Sequence, residues 1–123
     1  MTIAKLSVVA LDCPDPRSLA EFYVQIVGGV IAEEAASADW VRVRLDSGCD
    51  LGFQRDQAYE PPEWPSGSPQ QAHLDFDVSD LDSAERAVLA LGARKASTQP
   101  EPSEWRVFLD PVGHPFCLCR ADG

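Results

Sequence analysis

Positive charge is scarce in this chain of 123 residues: ten lysines and arginines stand against twenty aspartates and glutamates, for a formal net charge of −10. Nucleic acids and anionic membranes are bound through clusters of basic side chains, so the balance argues against both as partners. The acidic excess keeps the surface soluble, and it would also suit a cationic small molecule.

Long apolar runs are absent too. None approaches the roughly 18–20 residues that a membrane span needs, and residues 1–5 lack the apolar core of a secretory signal. We therefore expect a cytoplasmic protein whose thiols stay reduced rather than forming disulfides. Its four cysteines are Cys13, Cys49, Cys117 and Cys119. The length fits one domain with one core.

The first half of the sequence predicts one strand, one helix and then three further strands. Residues 5–13 are rich in valine and leucine, and Asp15-Pro16 then supplies a helix N-cap with proline at the first helical position. Apolar residues at helical spacing follow, and Gly28-Gly29 ends the helix. That apolar stripe comprises Leu19, Phe22, Tyr23 and Ile26. Strands are predicted over 30–33, 40–45 and 51–55.

Residues 56–70 form a loop between the halves, because four prolines exclude a helix or a central strand. Trp64 in this loop either packs the loop down or covers a binding site. The second half repeats the first at an offset of 65 residues, which pairs Asp15 with Asp80 and Trp40 with Trp105. The predicted modules are residues 4–55 and 71–121.

The strand predicted over 72–78 carries the main functional question. It alternates between ionisable and apolar side chains, so His73, Asp75 and Asp77 share one face. The opposite face should pack under the helices, together with alternate residues of the last strand. That apolar set comprises Leu74, Phe76, Phe116 and Leu118.

Together these pieces resemble the vicinal oxygen chelate superfamily, which includes glyoxalases, bleomycin-resistance proteins and extradiol dioxygenases. The resemblance rests on the Asp15–Gly29 segment, the strand at His73, the Leu91-Gly92-Ala93-Arg94 ending and the stretch from Asp110 to Phe116. With the prolines around Trp64, the chain is most similar to small glyoxalase-like proteins of one domain. The implied fold is α+β: two βαβββ modules form a cupped mixed sheet with helices outside and a cleft between them, often in a homodimer.

The resemblance also implies where a metal would bind. Metal-dependent members hold one divalent ion with two side chains from each module, usually histidine or glutamate. Those positions are Val8, Gly52, His73 and Cys117 here. Valine and glycine have no donor side chain, so we expect no bound metal and no other cofactor. If a divalent metal binds nevertheless, His73 and Cys117 are its ligands.

Several residues keep more than one interpretation. His73 is a hydrogen-bonded cavity residue, a catalytic acid/base oriented by Asp75, or a metal ligand. Trp40 and Trp105 are structural or form walls for an aromatic ligand. Cys117 is a small buried thiol or a reactive one. The expected ligand-binding residues are His73, Asp75, Trp64, Trp105 and Cys117.

Two functions remain open. The first is a binding protein that holds a small organic molecule, apolar or aromatic, in the cleft between the modules without the complete metal site. The alternative is a lyase, isomerase or dioxygenase-like enzyme that uses His73 as its catalytic residue with a divalent metal. Metal content after purification would separate them.

Overall fold

The structure is a computed structural model that describes residues 2, 6–62 and 72–121. The chain divides into two compact units, with the boundary between Tyr59 and Glu60. This boundary falls inside the predicted loop 56–70. That the two units form a single domain, with a cleft between them, stays a prediction. Neither helix in the described residues is long and apolar enough to span a membrane.

The first unit is a four-stranded mixed sheet with one α-helix. Its strands are ordered β1-β4-β3-β2, with β1 parallel to β4 and the other pairs antiparallel. A short 3₁₀ turn at Glu33–Ala35 follows β2. The elements are β1 (Val8–Cys13), α1 (Pro16–Val27), β2 (Val30–Ile31), β3 (Trp40–Arg44) and β4 (Asp50–Arg55).

The second unit repeats this architecture. Its strands are ordered β5-β8-β7-β6, again with one parallel pair, β5 with β8. The elements are β5 (Leu74–Val78), α2 (Leu81–Ala90), β6 (Arg94–Lys95), β7 (Trp105–Leu109) and β8 (Pro115–Arg120). The predicted α+β fold of two βαβββ modules is therefore confirmed. Strand β5 is shorter than predicted, since it begins at Leu74 and not at residue 72.

Each helix begins at the predicted aspartate cap. The Asp15 carboxylate accepts hydrogen bonds from the Ser18 amide at 3.4 Å and the Ser18 hydroxyl at 2.8 Å. In the second unit the Asp80 carboxylate accepts the Asp82 amide at 3.1 Å and the Ser83 hydroxyl at 2.8 Å. These bonds favour the ionised carboxylate, and they hold the pKa of Asp15 and of Asp80 below its ordinary value.

The apolar faces lie where the alternation predicts. Phe116 and Leu118 are buried on β8, where they pair with Leu74 and Phe76 of β5, both half-buried. The Phe76 and Phe116 rings lie 5.8 Å apart, and α2 packs against β8. Because a slip of one residue would exchange the two faces, this register also fixes which side chains face away from α2.

The helix stripes are confirmed in their central residues and weaker at their ends. Leu19, Phe22 and Tyr23 are buried on α1, while Ile26 is only half-buried. On α2, Leu91 stands at helical spacing from the buried Val88 but is itself 38% exposed. The reason is that α2 ends at Ala90, so Leu91 lies in the turn before Gly92 and no longer follows the helical spacing.

Candidate functional site

The second unit contains a cavity of about 320 Å³ on the sheet face opposite α2. Its lining residues are His73, Asp75, Trp105, Cys117 and Cys119. Four of the five residues expected to bind a ligand are thus brought together, and the fifth, Trp64, lies outside the described residues. The structure gives their position, while their role in binding stays a prediction.

Strand pairing brings these residues together. Asp75 of β5 lies beside Cys117 of β8 in the parallel register, and Trp105 of β7 lies beside Cys119 in the antiparallel one. Side chains two apart along a strand share a face, so Cys117 and Cys119 both face the cavity. Cys119 is absent from the sequence-based ligand set, although the same alternation that selected Cys117 could have found it.

His73 lies one residue before β5 and reaches back to Asp75. Its Nε2 is 3.1 Å from Oδ1 of Asp75, and the two side chains are 28% and 59% exposed. A carboxylate at this distance orients the imidazole ring. This is the arrangement that general acid–base catalysis requires, and it equally suits a polar anchor for a ligand.

Cys117 is buried beside this pair. Burial first, and then the charge of Asp75, raise the pKa of the Cys117 thiol to about 12. Burial and the charges of Asp75 and Asp77 also raise the pKa of Cys119. Thiolates are the reactive form of cysteine, so neither side chain is a nucleophile at neutral pH. None of the four cysteines, all of which lie in the described residues, forms a disulfide.

The apolar wall of the cavity is held by a residue that the sequence reasoning missed. Cys117 packs with Ala96 and Val107, and Trp105 lies against this group. The Gln99 side chain binds the Val107 backbone at both ends: Oε1 accepts the Val107 amide at 2.9 Å, and Nε2 donates to the Val107 carbonyl at 2.8 Å. The side-chain amide of Gln99 thus pairs with the Val107 backbone as the backbone of a neighbouring strand would. Nothing in the sequence distinguishes a loop glutamine with this role from any other.

In the first unit, the position that corresponds to Cys117 is filled by a ring. A Cβ built on Gly52 would lie 2.1 Å from Cη2 of the Trp40 indole, so this indole covers the Gly52 backbone. The neighbouring Arg42 donates to the Asp50 carboxylate at 2.8 Å. Trp40 is therefore structural, whereas Trp105 lines a cavity.

The four-residue metal set implied by the resemblance does not fit these side chains. Val8 offers only hydrocarbon, and Gly52 offers no side chain and is covered by Trp40. His73 and Cys117 remain, two potential ligands where catalytic metal sites use about three. In the part of the chain that the structure describes, one further donor joins them: ligand atoms of His73, Asp75 and Cys117 all lie within 4.8 Å of one another.

The other histidine lies elsewhere in the second unit. His114 is in the turn between β7 and β8, where its amide donates to the carboxylate of Asp110 at 2.9 Å. Asp110 is fully buried and also accepts the Val112 amide, so it organises the turn through the backbone. His114 is not among the residues that line the cavity.

Residues 8–119 match the model of a family described as a glyoxalase-like domain. No curated protein matches the chain.

Solved structures of similar fold match nearly the whole chain. A glyoxalase/bleomycin resistance protein/dioxygenase family enzyme from Burkholderia phytofirmans is 24% identical, with a TM-score of 0.73; the match covers 95% of this chain and 98% of that one. A glyoxalase-related enzyme from Fulvimarina pelagi is 16% identical, with a TM-score of 0.67 and coverage of 97% and 89%. The bleomycin-binding protein from Streptomyces verticillus, complexed with copper(II)-bleomycin, is 15% identical, with a TM-score of 0.60 and coverage of 99% and 100%. At these identities the likeness establishes the fold.

Proposed function

The chain belongs to the glyoxalase-like domain family of the vicinal oxygen chelate superfamily, and we propose that it binds a small organic molecule in the cavity of its second unit. The proposed binding residues are His73, Asp75, Trp105 and Cys117. The observation that carries the proposal is the cavity itself, which places an aromatic wall opposite a polar corner. Ligand sites typically combine apolar walls with a few polar groups that fix orientation.

The two sides of the cavity select different parts of the ligand. Trp105 offers a flat indole face, against which an aromatic or other apolar group can pack. Asp75 offers a carboxylate that is 59% exposed and accepts hydrogen bonds, and Asp77 adds negative charge on the same strand face. A ring that carries an amine or another hydrogen-bond donor satisfies both sides, in keeping with the acidic character of the chain.

The size of the cavity limits the ligand. A volume of about 320 Å³ lies at the small end of the range of ligand pockets, which is about 300–1,000 Å³. The proposed function is therefore the binding of a single-ring molecule, and it does not depend on the family's four-residue metal set.

A screen of single-ring compounds by ligand-observed NMR, on tag-free and chelator-treated protein, tests the proposal. Benzylamine and benzoate form a matched pair in the screen, with the same ring and opposite charge. We expect benzylamine to bind in the millimolar range, about 4 kcal/mol, and benzoate to bind less tightly. Trp105→Ala should abolish binding. Trp40→Ala, the same residue type at the corresponding place in the first unit, should preserve it.

The screen has clear negative outcomes. If no compound shows binding that depends on Trp105, the cavity is not a ligand site. If benzoate binds more tightly than benzylamine to the metal-free protein, the carboxylate of Asp75 does not set the preference. Far-ultraviolet circular dichroism of both tryptophan variants ensures that lost binding does not come from unfolding.

An enzyme is the second candidate, favoured by the 3.1 Å contact between Nε2 of His73 and Oδ1 of Asp75. In a lyase, isomerase or dioxygenase-like reaction, His73 would move a proton at its ring nitrogen while Asp75 held the ring in place. Catalysis would be established if the protein turns over a compound from the screen and His73→Ala lowers this turnover at least tenfold without changing the affinity for the compound. If His73→Ala binds the compounds more weakly and no compound is turned over, binding is the function that remains.

The proposal includes a homodimer, as the family resemblance implies. Light scattering coupled to size-exclusion chromatography measures the mass directly. A dimer would have twice the 13.4 kDa of the chain, and a mass that stays at that of one chain across concentrations would contradict the assembly.

A further inference from the structure

The cavity corner contains three side chains of different donor type in mutual reach: an imidazole, a carboxylate and a thiol. In the described part of the chain, ligand atoms of His73, Asp75 and Cys117 lie within 4.8 Å of one another. We infer that this corner is a zinc site whose three protein ligands all come from the second unit. It differs from the arrangement that the family resemblance implies, in which each module supplies two ligands.

Backbone geometry holds two of the three ligands in place. Asp75 and Cys117 are direct neighbours in the parallel register of β5 and β8, and hydrogen-bonded strands lie about 4.8 Å apart. Side chains that leave such neighbours on the same face converge above the sheet. Cys117 is also fixed by burial, at 2% exposure, in a strand that is paired on both sides.

The third ligand is already close to the second. Nε2 of His73 lies 3.1 Å from Oδ1 of Asp75. Zinc–ligand bonds of about 2.0–2.3 Å place tetrahedral ligand atoms roughly 3.3–3.8 Å apart. The widest separation in the group is at most 4.8 Å, so an adjustment of about 1 Å suffices to reach this spacing. Asp75 has the freedom to make it, because its side chain is 59% exposed.

The donor set points to zinc rather than to magnesium or calcium. Thiolate and imidazole are ligands that zinc accepts, whereas the two harder cations require mostly oxygen atoms. One thiolate and one carboxylate balance the double charge of the ion, and the imidazole binds in its neutral form. Zinc binding would release the Cys117 proton to solvent, since the thiolate is the ligand. Three protein ligands leave one position for water or for a donor atom of a bound molecule.

The first unit cannot contribute the missing family ligands through Val8 and Gly52. Gly52 is covered by the Trp40 indole, and Val8 has no donor atom. The presence of Asp75 within reach of both His73 and Cys117 compensates for this loss inside the second unit. A three-ligand site therefore needs no side chain from residues 6–59.

Zinc titration by calorimetry, on tag-free and chelator-treated protein, tests the inference together with cobalt substitution. We expect one zinc per chain, and Co²⁺ should give the near-ultraviolet charge-transfer band that marks a cobalt–thiolate bond. His73→Ala, Asp75→Asn and Cys117→Ser should each weaken zinc binding by about tenfold or more, because losing even an outer partner of a ligand typically costs 10–100-fold. Cys117→Ser should also abolish the band.

Each ligand variant has a matched control of the same residue type outside the cavity: His114→Ala, Asp46→Asn and Cys49→Ser. These controls should bind zinc as the unmodified protein does and keep the cobalt band. The inference is overturned if zinc does not bind with one-to-one stoichiometry, if the band survives Cys117→Ser, or if the controls lose as much affinity as the ligand variants.

The zinc site and the proposed binding of a ring compound can be tested independently of each other. Ring binding that depends on Trp105 is measured on the metal-free protein, so it can succeed where zinc fails. If both hold, zinc should reverse the preference in the matched pair, because a benzoate carboxylate can take the open position while the ammonium of benzylamine is repelled. An unchanged preference at saturating zinc would show that the ion binds outside the cavity.

Discussion

Replacing Gly52 by alanine should destabilise the first unit, because the Trp40 indole occupies the space that the new methyl group needs. The built Cβ lies 2.1 Å from Cη2 and 2.6 Å from Cζ2 of Trp40, well inside van der Waals contact. The ring must therefore move by more than 1 Å to reach an ordinary contact of about 3.5 Å. Overpacking of this kind costs about 1–3 kcal/mol.

Urea denaturation followed by circular dichroism measures this loss, and a double-mutant cycle identifies its cause. Trp40→Ala alone should also destabilise, since it uncovers the sheet at Gly52. In the double variant, the new methyl group has room, so the two effects should fall short of additivity by at least about 1 kcal/mol. A loss below about 0.5 kcal/mol for Gly52→Ala, or strict additivity in the cycle, would refute the claim that Trp40 excludes a side chain at this position.

Three further predictions concern the core, a helix cap and the division between site and fold. Phe22→Ala should cost about 3–5 kcal/mol in denaturant unfolding, because Phe22 is 6% exposed and packs edge-on against Tyr23 at 5.0 Å; a loss under about 1 kcal/mol would place Phe22 outside the core. Asp15→Ala should cost about 1 kcal/mol through the lost cap. The folded-state pKa of Asp15 lies below its ordinary value of 3.8, so the contribution of the cap is present above pH 3.8 and disappears as the pH falls through the folded-state pKa. The stabilities of the unmodified protein and of Asp15→Ala should therefore converge in acid. His73→Ala should weaken ligand binding with almost no change in melting temperature, whereas Leu74→Ala should lower stability by about 2 kcal/mol and leave binding intact; an unfolded His73→Ala variant would show that this histidine serves the fold.

The local features of both modules were predictable from the sequence because local geometry demands particular residue types there. The offset of 65 residues pairs Asp15 with Asp80, and both are helix caps with a serine three residues later. Strand alternation likewise separated Leu74 and Phe76 from His73 and Asp75. These assignments follow from periods of two and 3.6 residues, which need no knowledge of tertiary contacts.

Where an element ends was less predictable, because tertiary pairing and turn geometry decide it. The predicted strand over residues 72–78 begins only at Leu74, where pairing to β8 begins. Leu91 fits the helical spacing of α2 in sequence, yet it follows the last helical residue. In both cases the local pattern continues beyond the structure that it describes.

The composition of the cavity depends on strand register, which one sequence does not specify. Asp75 approaches Cys117 because β5 and β8 are aligned in parallel, and the two strands are about 40 residues apart in the chain. The family resemblance implied His73 and Cys117 as the ligands of any metal that binds, and it left Asp75 out of that set. The cover of Gly52 by Trp40 was hidden for the same reason, since it follows from the pairing of β3 with β4.

A crystal structure of chelator-treated protein soaked with benzylamine tests the central claim most directly. The account predicts the aromatic ring against the Trp105 indole and the amine within hydrogen-bond distance of the Asp75 carboxylate. An empty cavity at a benzylamine concentration that saturates binding in solution, or benzylamine bound away from His73, Asp75 and Trp105, would contradict the claim that this cavity is the ligand site.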